Sequence, residues 1–208
     1  MTTIRSIRAF TLIEMLVVLS IFVLISLMVL ANYGKFNSSV LLGSLAYDIG
    51  SSIRQAQVYG ISVKALPGGS NPNYQIGYGV DFNINSPTPQ YLLYADTQNP
   101  LLYRYDSTKG GEAVNTYSLG LSHSIQRFCA VSAGGVQSCS DGKAPPVIKT
   151  LDIEFIRPEP DAIFSTDLCT ATPTTPCYAS AFITVASPSG ETRTITVYPT
   201  GQISVTNP

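Results

Sequence analysis

Apolar positions are spread very unevenly along this chain. From Phe10 to Leu30 they form a run of 21 residues interrupted by one charge, Glu14. A helix of that length spans roughly 30 Å, the thickness of a bilayer's hydrocarbon core. From Ser39 to about Gly60 the pattern becomes periodic. Leu41, Leu42, Leu45, Ala46, Ile49, Ile53 and Ala56 recur at three- and four-residue steps, with Asp48, Ser51, Arg54 and Gln55 mostly opposite. The two segments read as one long helix over roughly residues 10–60, its second half laid against a head, with Gly60 as its stop. Gly34, Gly43 and Gly50 weaken it locally.

Beyond residue 62 short alternating segments are separated by Pro, Gly, Asn and Asp. The spacing predicts a loop over 65–73 and strands at Tyr74–Phe82, Tyr91–Ala95, Leu101–Tyr105, Leu119–Phe128, Val147–Phe155, Asp161–Ser165, Ser180–Ala186, Thr192–Tyr198 and Gln202–Val205. The expected class is α+β: a long N-terminal hydrophobic helix packed on an antiparallel β-sheet head. The division that follows is 1–9, a short polar and basic leader; 10–30, a spanning or assembly helix; 31–62, its amphipathic continuation; and 63–208, a β-rich head.

Composition sharpens this picture. The chain has 208 residues and a formal net charge of −1, with 12 Lys and Arg against 13 Asp and Glu. Arg5 and Arg8 precede the apolar run and no base follows before Lys35. The positive-inside rule therefore keeps the short N-terminus in the cytoplasm and exports the rest. A cleaved secretory signal would carry a shorter apolar region ending at a small-residue site, which this run lacks. The four cysteines suit an oxidising compartment. Three pairings exist; the local one, Cys129–Cys139 with Cys169–Cys177, staples one loop each, and four unlinked thiols are the alternative. Zinc is disfavoured, since neither pair has CxxC spacing and no His lies beside them.

Within the first twenty residues the stretch Ala9-Phe10-Thr11-Leu12-Ile13-Glu14-Met15-Leu16-Val17-Val18-Leu19 resembles the N-terminal signature of type IV prepilins and type II secretion pseudopilins. The resemblance implies a membrane-embedded prepilin peptidase that cuts between Ala9 and Phe10, followed by methylation of the new amine. It differs in one position: the family has Gly before the cut where this chain has Ala9. It also implies a partner for Glu14, a carboxylate that is costly inside an apolar helix. The Glu of one subunit neutralises the Phe10 amine of its neighbour, so that a subunit inserted at the wrong height leaves both charges unpaired. The implied partners are other pilin or pseudopilin subunits, the peptidase, an inner-membrane assembly platform, and lipid before assembly. The implied place is a single pass through the cytoplasmic membrane with an exported head, and then the filament at the periplasm or cell surface. The segments LAYDIGSSIRQAQVYGISV, YQIGYGVDF, YLLYADTQ and TRTITVYPTGQISV resemble the heads of GspH/FimT-like minor pseudopilins.

No enzyme and no cofactor are expected. Asp96, Asn99 and Asp106 lack the dense oxygen spacing of a calcium loop, and Asp96 reads as a turn opener. His123, between Ser122 and Ser124, reads as a strand residue without the orienting carboxylate of a triad. Arg104, Arg127, Lys143, Lys149, Arg157 and Arg193 are dispersed among acids. Loss of a nine-residue leader would leave ten basic against thirteen acidic side chains, so nucleic acid is a poor fit. The reading is a structural filament subunit. The alternative is a minor tip subunit serving adhesion or DNA capture.

Overall fold

The computed structural model describes residues 10–62, 64, 76–86, 88–98, 101–120, 123–143 and 145–207. The 1–9 leader, the whole 65–73 loop, Tyr74 and Asn99 lie outside them. A single helix, α1 (Leu12–Ile61), runs 50 residues. Ten strands follow: β1 (Gly77–Asn83), β2 (Gln90–Asp96), β3 (Ala113–Ser118), β4 (Ser124–Val131), β5 (Gln137–Cys139), β6 (Thr150–Phe155), β7 (Ala162–Thr166), β8 (Ser180–Ala186), β9 (Thr192–Val197) and β10 (Ile203–Thr206). They form two five-stranded antiparallel sheets, ordered β3-β2-β1-β6-β7 and β10-β9-β8-β4-β5. The architecture is α+β, as the residue pattern leads one to expect, with two sheets where the pattern suggested one.

The helix divides by burial. Leu42, Ala46, Ile49, Ile53 and Ala56 are fully buried, and together they make the stripe that the three- and four-residue spacing draws. They pack on Tyr78, Val80 and Phe82 of β1, Leu93 of β2 and Leu151, Ile153 and Phe155 of β6. Phe128 of β4, Ile183 and Val185 of β8, and Ile195 and Val197 of β9 complete one core between the sheets and the helix. Each fully buried Ile or Phe contributes about 1.5–3 kcal/mol relative to exposure. Gly60 is required where α1 leaves the core: a Cβ there would lie 2.2 Å from the Phe155 carbonyl oxygen. One residue beyond the helix, Ser62 adopts an extended backbone and its N–H donates back to Val58 O at 3.1 Å.

Three strand assignments change, and two strands that the pattern did not predict, β3 and β5, appear. Leu101–Tyr105 is not a strand. Its backbone N–H groups are claimed by carboxylates rather than by a neighbouring strand: Leu102 and Tyr103 donate to Asp96 Oδ2 (2.7 and 2.8 Å), Tyr105 donates to Asp152 Oδ1 (2.9 Å), and Tyr103 takes a positive φ of 55°. The segment is a strap over the outer face of the first sheet. In its place β3 supplies the edge strand, and its AVNTYS sequence is almost wholly exposed, so it carries no apolar alternation. The strand expected from Leu119 begins only at Ser124, because His123 N–H turns back onto Gly120 O at 3.2 Å. That expected from Val147 begins at Thr150. Before it, Val147 bridges Cys139, and Lys149 and Thr150 donate to Asp167 Oδ1.

Candidate assembly helix and the polar face of the head

The first turn of α1 is built by Thr11 and Glu14. Thr11 holds an extended backbone (φ −80°, ψ 152°), and its hydroxyl accepts the Glu14 N–H at 3.3 Å. That satisfies one of the four donors a helix start leaves open. Glu14 is the acidic residue of that turn, where the helix dipole favours a negative charge. It sits one turn, about 6 Å along the axis, beyond Phe10. Among the described residues Glu14 has no ion-pair partner: the ion pairs there are Arg127–Asp141 and Lys143–Asp141, both in the head.

The surface around Glu14 is bare. From Phe10 (76% exposed) through Leu12, Ile13, Leu16, Phe22 and Leu24 to Leu30 (71%), the large apolar side chains are exposed. This is the one helix among the described residues that is long and apolar enough to cross a membrane. Ser20 does not interrupt the apolar character, since its hydroxyl donates to Val17 O at 2.8 Å. The helix therefore presents an apolar cylinder with a single carboxylate near its start and no packing partner among the described residues. A cylinder of that kind suits lipid or other copies of the same helix.

A scan against family models matches residues 4–30 to the prokaryotic N-terminal methylation motif, while no curated protein and no solved structure matches the chain. The chain fits a type IV pilin-like precursor. The match covers Ala9 and Phe10, the Glu14 turn and the exposed apolar run, and it stops before the helix docks on the head. Of the residues named for processing, Ala9 lies outside the described residues. Phe10 stands exposed immediately before the Thr11 cap.

In the head the structure joins Cys129 to Cys139 and Cys169 to Cys177. The first pair lies at directly opposed positions of β4 and β5, and the second closes the loop after β7. Among the described residues no group of three His, Cys, Asp or Glu side chains is arranged to hold a metal ion. Asp96 caps the strap, accepting N–H groups from Gln98, Leu102 and Tyr103. His123 lies just before β4 rather than within it; Nδ1 contacts Gly120 O at 3.2 Å and Nε2 is buried with no partner among the described residues. The six bases are scattered over both sheets and their connections. Arg127 faces Asp141 at 3.6 Å, and Arg193 donates to Thr192 O.

One feature of the head escaped the sequence reading. The outer face of the first sheet carries a row of carboxyls. Asp81 of β1 stands directly opposite Asp152 of β6, and Glu154 is next along the same face. With Asp96 and Glu112 all are buried. Tyr94 donates to Glu154 Oε2 at 3.0 Å, lying flat across Gly79, where a Cβ would come within 2.6 Å of its ring. Gly77 gives the same clearance to the Glu154 carboxyl. Burial is the main cause pushing the carboxyls upward: Asp81 to about 7, and Asp152 and Glu154 well above the usual range. The Asp81 charge adds to the rise at Asp152, and that of Asp96 to the rise at Glu154. Tyr94 is raised by its burial and by Glu154. The signal in the sequence was the Gly-Tyr-Gly-Val-Asp alternation: two glycines and an acid on one face of a strand whose other face is core.

Proposed function

We propose that the chain is a structural subunit of a type IV pilus or of a type II secretion pseudopilus. Prepilin peptidase processes it between Ala9 and Phe10, and it polymerises through its N-terminal helix. The observation that carries the reading is the bare apolar half of α1 with Glu14 in its first turn, inside the matched motif. In lipid this half anchors the monomer by its apolar surface. In the filament it buries against the same helix of neighbouring subunits. Cleavage frees an amine on Phe10, and Glu14 of one subunit meets the amine of another, which fixes their axial register. The chain then divides into the 1–9 leader, the 10–30 assembly segment, the 31–62 continuation that docks the helix, and the 63–208 head, which is held outside the cytoplasmic membrane and stapled by two disulfides. The work is polymerisation, and it calls for no catalytic group.

The test is intact mass and N-terminal sequence of the chain from cells with and without active prepilin peptidase. The expected product begins at Phe10 with one added methyl group, and it appears only with active peptidase. A chain that still begins at Met1 in the presence of peptidase overturns the reading. Replacing Ala9 by Gly, the residue the family carries there, is expected to speed the cut and leave the product's mass unchanged.

A further inference from the structure

At the end of the first sheet away from Asp96, the strap leaves the outer face open. The opening is a cavity of about 240 Å³ lined by Asp81, Asn83, Ser86, Gln90, Tyr105 and Thr116 among others. Strand alternation places Asp81 and Asn83 of β1, Gln90 of β2 and Thr116 of β3 on this one face, since Tyr91 and Phe82 between them point into the core. Tyr105 forms a wall, held by its N–H bond to Asp152 and by its ring 5.8 Å from that of Tyr94.

The hydrogen-bonding capacity of this lining is largely unspent. Asp81 is 7% exposed, and its carboxyl has no hydrogen-bond partner among the described residues. Ser86 Oγ is buried without a partner there. Asn83 uses its oxygen on Asn85 N–H and Gln90 uses its own on the Thr88 hydroxyl, so both amide NH2 groups are left to donate. A buried polar group without a partner costs roughly 1–3 kcal/mol, so a floor of this kind favours whatever completes it.

We propose that this pocket binds a neutral saccharide unit. Adjacent sugar hydroxyls each donate and accept, which matches a lining of amide donors, hydroxyls and a carboxyl. Tyr105 offers an aromatic surface for the ring's C–H face. No Lys or Arg lines the cavity, which leaves nothing to neutralise a phosphate or an acidic sugar. Burial holds Asp81 protonated up to about pH 7, so below that it both donates and accepts, and it presents no fixed charge to an ammonium group. The site lies on the head, away from α1, and does not depend on the polymerisation reading.

The test is saturation-transfer NMR on the full chain in lipid nanodiscs, free of sugar detergents. The probes are glucose, galactose and N-acetylglucosamine at millimolar concentration, with putrescine and inorganic phosphate alongside. Transfer to at least one of the three sugars is expected. Asp81→Ala is expected to abolish it, and Gln90→Ala to weaken it about tenfold while the thermal melt of the head is unchanged. Gln90→Ala keeps the test valid if Asp81→Ala fails to fold. Three results overturn the proposal: no transfer to any sugar, transfer undiminished in Gln90→Ala, or transfer to putrescine or phosphate alone. Failure here leaves processing at Phe10 untouched, and a failure of processing leaves this binding untouched.

Discussion

The two halves of α1 face opposite problems. Residues beyond Ser38 bury Leu42, Ala46, Ile49, Ile53 and Ala56 against two sheets of their own chain. The described residues before it are exposed, although they are the more apolar. The acids divide in the same way. Glu14 stands on an exposed helix with no ion-pair partner among the described residues. Asp81, Asp152 and Glu154 are buried on the outer face of the first sheet, where burial favours their protonated forms. The docked half is solved within the monomer. The free half is an incomplete structure whose remaining contacts must come from lipid or from other molecules.

Substitution of Glu14 breaks this comparison most sharply. Glu14→Leu is expected to abolish incorporation into filaments, seen in sheared surface fractions, while the purified chain melts at the unchanged temperature. A lowered melt would show that Glu14 serves the head. Ile53→Ala is the converse, with an expected loss of about 2–5 kcal/mol in denaturant unfolding; Leu24→Ala in the free half should leave that transition where it is.

The buried acids come next. A carboxyl raised in the folded state stabilises fully below the ordinary carboxylate range, and its contribution is lost as pH rises toward the folded value. For Asp81 that window runs from about 4 to about 7 and is worth at most about 1.4 kcal/mol per pH unit. Asp81→Asn should therefore flatten the profile, raising the melting temperature at pH 8 relative to the wild type; equal slopes for both proteins would contradict the burial-raised carboxyl of Asp81. The smallest effect separates the halves once more. Gly43→Ala meets nothing within 4 Å and should stabilise the head by up to about 1 kcal/mol, whereas Gly34→Ala, with equally open space, should leave head unfolding unchanged.

The sequence made the helix legible from end to end, because its signal is local: an uninterrupted apolar run, then a 3.6-residue stripe. The buried stripe Leu42-Ala46-Ile49-Ile53-Ala56 follows that spacing closely. The strap from Leu101 to Tyr105 did not follow its pattern, because its apolar look comes from covering a sheet face, and its backbone is bonded by acids as far away as Asp152. Edge strand β3 was invisible for the opposite reason: it packs too little to need apolar residues. The carboxyl row stayed hidden because it exists only in register. Asp81 and Asp152 are 71 positions apart in the chain, and antiparallel pairing alone puts them side by side.

The continuity of α1 has a mechanical consequence. At 1.5 Å per residue its 50 residues measure about 75 Å, and the free half accounts for roughly 40 Å of this. In the membrane-anchored state proposed above, a hydrocarbon core would take up about 30 Å of that, leaving some 10 Å of stand-off between membrane and head. With one rod joining the two, torque applied at the foot turns the head with it, and axial thrust lifts it by the same increment.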